Sequence, residues 1–71
     1  MTMRVRARAI VDPDYTKPRD KNGDQWYRVE VWGDEPHDYV RVYSLSSKTE
    51  DGAAKEGLRR FTQEMEQLEA E

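Results

Sequence analysis

The residues in this sequence best suited to chemistry are arginines and large aromatics, and the chemistry they suit is binding. Trp26, Arg28, Trp32, Tyr39, Arg41 and Tyr43 lie close together, and Arg4, Arg6 and Arg8 recur at every second position near the start. Trp, Tyr and Arg dominate the hot spots of protein interfaces. A guanidinium over an exposed aromatic face also gains about 0.5–1 kcal/mol of cation–π attraction. The same side chains suit nucleic acid, since arginine forks match guanine edges and phosphates and aromatic rings stack on unpaired bases.

Groups for catalysis are sparse. His37 is the single histidine and lies in Asp34-Glu35-Pro36-His37-Asp38, where it reads as a hydrated turn residue. Ser44, Ser46 and Ser47 have no base partner within sequence reach, and Asp12 and Asp14 are paired carboxylates by spacing alone. Asp20-Lys21-Asn22-Gly23-Asp24 has the composition of a calcium loop, but its register fails. With Gly23 at the sixth position, the first and twelfth ligand positions fall on Pro18 and Val29. The expectation is no catalytic residue, no metal ligand set and no cofactor.

Three period-2 segments and one helical segment must position the binding residues. The first strand spans about residues 3–11, with Met3, Val5, Ala7, Ala9 and Val11 on one side and Arg4, Arg6, Arg8 and Ile10 on the other. Two mid-strand alanines imply that a helix crosses closely. Asp12–Asp24 is a long connection with two prolines and an Asn22-Gly23 turn signal, either mobile or functional. The second strand spans about 25–32, with Tyr27, Val29 and Val31 opposite Trp26, Arg28, Glu30 and Trp32. The third spans about 39–45, and here we assign Val40 and Val42 to the core and Tyr39, Arg41 and Tyr43 to the other face. Its alternation breaks at Ser44 and Leu45, which predicts a bulge or the strand end.

Ser47-Lys48-Thr49-Glu50 fits a capping box with Ser47 as N-cap and Thr49 as the competing cap. A helix over about 48–68 follows, with its apolar stripe on Ala54, Leu58, Phe61, Met65 and Leu68, spaced 4, 3, 4 and 3. Gly57 beside that stripe costs about 1 kcal/mol of helix propensity relative to alanine. Close approach of the helix to the sheet over Ala7 and Ala9 would explain it. The expected fold is α+β, a three-stranded antiparallel sheet packed on one C-terminal helix, in the order β-β-β-α.

With 71 residues the chain is one domain with a marginal core. Charged residues, at 38%, outnumber apolar ones, at 35%, which approaches the composition of disordered chains. Two Trp, four Tyr and strict alternation weigh on the side of folding. There is no cysteine, hence no disulfide or thiolate metal site. No apolar run is long enough to span a bilayer and there is no signal-peptide core, so a soluble, cytoplasmic protein without membrane contact is expected.

One helix covers one sheet face, so the other is left open. On this reading the open face carries Arg4, Arg6, Arg8, Arg28 and Arg41 against Glu30, a charge of +4, while the rest of the chain carries −7 and the total is −3. Three strands and a helix, with arginines and tryptophans on the uncovered side and Arg41-Val42-Tyr43 leading into Thr49-Glu50-Asp51-Gly52-Ala53-Ala54, resemble two kinds of DNA-binding domain. They are that of plant ethylene-response transcription factors and the N-terminal arm-binding domain of transposon integrases. The resemblance implies a sheet lying in the DNA major groove and implicates Arg4, Arg6, Arg8, Trp26, Arg28, Trp32 and Arg41. In size and charge density the chain also looks like small phage accessory or inhibitor proteins, including inhibitors of host defence complexes such as CRISPR effectors. The expected function is a non-enzymatic protein-binding module that contacts a larger protein or nucleoprotein complex through Arg4, Arg6, Arg8, Trp26, Arg28, Trp32, Tyr39, Arg41 and Tyr43. Direct DNA or RNA binding through the same face is the alternative, and a homodimer through the sheet face is a third arrangement.

Overall fold

In the computed structural model, which describes residues 4–70, the alternating segments pair into one antiparallel sheet. The elements are β1 (Ala7–Pro13), β2 (Gln25–Gly33), β3 (Val40–Ser47) and α1 (Glu50–Ala70). Strand order follows the chain, so β2 is central and β1 and β3 are edges. The fold is α+β, as the periodicities predict. Strand one was expected from Met3, which lies outside the described residues. Val5 still packs against the core ahead of β1, and exposure alternates from Arg4 onward.

The core is small. Val29, Val31, Leu45, Ala53, Phe61 and Met65 are buried, with Val5, Ala7, Ala9, Val11, Tyr27, Tyr43 and Leu58 packed around them. On α1 the buried positions are Ala53, Gly57, Phe61 and Met65. The expected stripe is therefore rotated. Ala54 and Leu58 are only half-buried, and Leu68 is exposed. The small residues mark the closest contact because they let the helix backbone approach the sheet. A Cβ on Gly57 would lie 2.6 Å from Val29 Cγ1. Close approach at Gly57 was expected over Ala7 and Ala9, and it occurs over β2.

The helix start is settled by Thr49 rather than Ser47. Thr49 Oγ1 accepts from Gly52 N at 3.0 Å, the hydrogen bond that defines an N-cap, while Ser47 Oγ accepts from Thr49 N at 3.3 Å. Glu50 and Asp51 occupy the first turn, where the helix dipole favours acids. The helix runs to Ala70, beyond the expected end near Leu68.

Strand three is the main correction. Its register pairs Val31 with Arg41, Val29 with Tyr43 and Tyr27 with Leu45. Directly paired residues share a face, so Tyr39, Arg41, Tyr43 and Leu45 lie on the helix side, and Val40 and Val42 lie on the open side at 43% and 52% exposure. No bulge interrupts the ladder, which continues to Ser47. The apparent break in alternation at Leu45 is the core side of the strand continuing in register.

The two turns are tight. Asp20 Oδ1 accepts from Asn22 N and Asp24 N at 2.9 and 2.8 Å, and Gly23 takes a φ of 82° that suits glycine. The bond from Asp24 N, then that from the Ser46 hydroxyl, holds the Asp20 carboxyl below its ordinary range. In the second turn His37 N donates to Asp34 O, Tyr39 N to His37 O and Gly33 N to Tyr39 O. His37 is not hydrated, as expected of a turn residue, but buried at 5% exposure against Glu69. The extra length of α1 carries Glu69 over this turn.

Candidate functional site

Alternation along β1 and β2 places Arg4, Arg6, Arg8, Ile10 and Asp12 beside Trp26, Arg28, Glu30 and Trp32 on the face opposite the helix. The strand-three inversion adds Val40, Val42, Ser44 and Ser46 to that face and removes Tyr39, Arg41 and Tyr43. Of the nine binding residues expected from the sequence, the structure brings six to one side: Arg4, Arg6, Arg8, Trp26, Arg28 and Trp32. The other three form a separate group at the rim of the helix. There Arg41 Nε donates to Glu64 Oε2 at 2.5 Å, and Arg41 lies 5.3 Å from the centre of the Tyr39 ring. Burial, then the charge of Glu64, raises the Tyr43 phenol above its ordinary range.

The lower end of the open face is covered by the first connection. Lys17 Nζ donates to Ser44 Oγ at 2.7 Å and lies 4.9 Å from the centre of the Trp26 ring. This is why Trp26 is half-buried while Trp32 is 40% exposed. The long connection thus has a structural job, which its proline and glycine content did not reveal.

The middle of the face is internally neutralised. Arg28 pairs with Glu30 at 3.2 Å, and Trp32 Nε1 donates to Glu30 Oε1 at 2.5 Å. The carboxylate of Glu30 is therefore engaged on both oxygens, and the Trp32 ring is held by its polar edge with its apolar surface outward.

At the upper end four apolar side chains, one on β1, one on β2 and two on β3, are exposed on the open face, with Glu30 between Ile10 and Val42. Arg8 pairs with Trp32 and Trp32 with Val40; Ile10 pairs with Glu30 and Glu30 with Val42. Ile10, Trp32, Val40 and Val42 are each between 40% and 52% exposed. On the same face stand Arg8 and Arg28, with Arg6 and Arg4 following Arg8 by alternation ahead of β1. With Asp12 and Glu30 counted against these four arginines, the face carries +2 rather than the expected +4. Sequence reasoning missed Val40 and Val42 because they read as core. The available signal was Leu45, the one large aliphatic in the strand's second half, which demands that odd-numbered positions face inward.

Among the described residues no helix is long and apolar enough to cross a membrane, and no cluster of three or more potential metal ligands occurs. Compared with protein-family models, curated proteins and solved structures, the chain matches none.

Proposed function

We propose that this chain is a non-enzymatic binding module whose partner is a protein seated on the upper part of the open sheet face. The observation that carries this reading is the apolar quartet Ile10, Trp32, Val40 and Val42, half-exposed on neighbouring strands and, among the described residues, covered by no other element. Contiguous apolar surface on a small domain marks an interaction site more often than a solvated wall. A central aromatic in an apolar patch, with charged residues at its margin, is the arrangement typical of an interface core and rim. The four arginines at that margin favour a partner that is acidic around an apolar contact.

A second reading, direct nucleic-acid binding, rests on the exposure of Arg4, Arg6, Arg8 and Arg28 on one side. It is the weaker one. Phosphate contacts supply most of such affinity, yet the upper end of the face is apolar, Arg28 at its middle is paired with Glu30, and Arg41 is turned to the helix.

The test uses two variants of the whole chain. In capture from a host lysate, Trp32→Ala with Ile10→Lys is expected to lose a protein that the parent retains, with an unchanged circular dichroism spectrum. The captured protein, once purified, should bind the parent at least tenfold more tightly than the variant. Equal binding by both would overturn the reading. A mobility shift on duplex and single-stranded DNA at low salt, abolished by Arg6→Glu with Arg8→Glu, would favour the second reading instead.

A further inference from the structure

Among the described residues the outer edge of β3 has no partner and little protection. Odd-numbered residues of β3 pair with β2, through Tyr27, Val29 and Val31, and Gly33 N donates to Tyr39 O in the same pattern. The backbone groups of Val40, Val42, Ser44 and Ser46 consequently point away from the sheet. Free edges are normally blunted by proline, lysine, a bulge or brevity. β3 has eight residues, no proline, no lysine and no bulge. Its guards among the described residues are Arg41, whose Nη1 donates to the Val40 carbonyl at 3.0 Å, and, at the side chain of Ser44 on the open face, Lys17, whose Nζ donates to Ser44 Oγ at 2.7 Å. The opposite edge differs. There the outward backbone groups belong to Ala7, Ala9, Val11 and Pro13, and Pro13 has no N–H to offer.

We propose that β3 pairs antiparallel with β3 of a second copy of this chain, joining two sheets into one of six strands. The strand is self-complementary for this. A two-fold axis perpendicular to the sheet keeps both helices on one side and lets outward-pointing residues pair only with each other. Placing Tyr43 on that axis aligns residues 40–46, an overlap as long as any such axis allows. Val42 then faces Ser44 of the second copy, Val40 faces Ser46, and Arg41 faces Leu45. Arg41 is the sole charged residue of the strand, so no like charges meet directly. The two Tyr43 rings face each other on the helix side, where aromatic pairs are favourable. On the open side the Val40 and Val42 patches of both copies become continuous. A foreign strand could use the same backbone groups, but only a second copy is guaranteed to match length, register and charge at once. This inference concerns the edge and does not rest on the proposed partner of the face.

Sedimentation of the whole chain at rising concentration tests it. The expected result is a mass that moves from 8.4 kDa towards twice that value. Val42→Pro removes one outward N–H without touching the ladder to β2, and should remain monomeric at every concentration with an unchanged circular dichroism spectrum. Ile10→Lys, on the open face but away from the edge, should still dimerise. Tyr43→Cys places a single thiol on the axis, where non-hydrogen-bonded pairs bring Cα atoms to about 4.5 Å, within disulfide range, so mild oxidation should yield a covalent dimer. Should that variant fold poorly, hydrogen exchange on the parent reads the same edge, and the Val42, Ser44 and Ser46 amides should slow as concentration rises. A parent that stays monomeric to about millimolar concentration, or edge amides that exchange at the same rate throughout, would overturn the proposal, as would a Val42→Pro variant that still dimerises.

Discussion

Two glycines show how finely this small core is fitted. Gly57 faces Val29 and Gly33 faces the His37 carbonyl, where an added Cβ would fall 2.6 Å and 1.8 Å from its neighbour respectively. At Gly57 the obstacle is a side-chain methyl group, and alanine regains about 1 kcal/mol of helix propensity. Overpacking costs about 1–3 kcal/mol, so Gly57→Ala should be destabilising by at most about 2 kcal/mol in urea unfolding. At Gly33 the obstacle is backbone within a tight turn, and the Phe61 ring is also near. Gly33→Ala should therefore be the more damaging of the two, and an equal or smaller loss would contradict the turn geometry. Arg41 makes a second residue-scale case. Its ion pair with Glu64 is more than one-third exposed on both partners, which limits its worth to about 0.2–1 kcal/mol. Arg41→Glu should destabilise by creating a like-charge pair, and adding Glu64→Arg should restore most of the loss. A double-mutant cycle with no coupling would place Arg41 elsewhere.

At the scale of elements, what the sequence disclosed and what it concealed have the same physical origin. β1 and β2 were legible because each has a side that only a core can take: Val29 and Val31 on one face of β2, and a row of arginines opposite Val5, Ala7 and Ala9. β3 was misassigned because its two sides are nearly equivalent by residue type. Valines stand on one and Tyr39, Arg41, Tyr43 and Leu45 on the other. An edge strand borders solvent along its outer side, so long amphipathic side chains can line its inner face and keep their polar ends at the rim. Glu64 supplies the counter-charge, a contact between residues 23 apart in sequence that local periodicity does not report. The helix was placed correctly but rotated, because bulky residues draw attention while Ala53 and Gly57 make the closest contact. Its start was ambiguous between two hydroxyls, and geometry selects Thr49. Thr49→Ala should cost about 1 kcal/mol, within the 0.5–2 kcal/mol typical of a lost N-cap. Ser47→Ala, removing a 3.3 Å bond outside the helix, should cost clearly less. The reverse order in thermal unfolding would return the cap to Ser47.

For the molecule as a whole, the question that decides the site is which face is inside, and one pair of valines answers it. Val29 and Val42 sit on adjacent strands and were both expected in the core. The structure buries Val29 completely under Gly57 and leaves Val42 at 52% exposure on the open face. A carboxylate at position 29 would be desolvated with no cation in reach of the apolar surroundings, which costs several kcal/mol. A domain this size has only about 3–5 kcal/mol to lose, so Val29→Asp should be unfolded at room temperature. Val42→Asp gives up a side chain that is already half-exposed and sets a carboxylate opposite Glu30, which should cost about 1 kcal/mol and leave the chain folded. If Val42→Asp unfolds the chain as thoroughly as Val29→Asp does, strand three has the opposite orientation. Arg41 and Tyr43 would then return to the open face, and the apolar quartet on which the proposed partner sits would not exist. If only Val29→Asp unfolds it, the face is a surface that can be altered freely, and every binding experiment on Ile10, Trp32 and Val40 reads contact rather than folding.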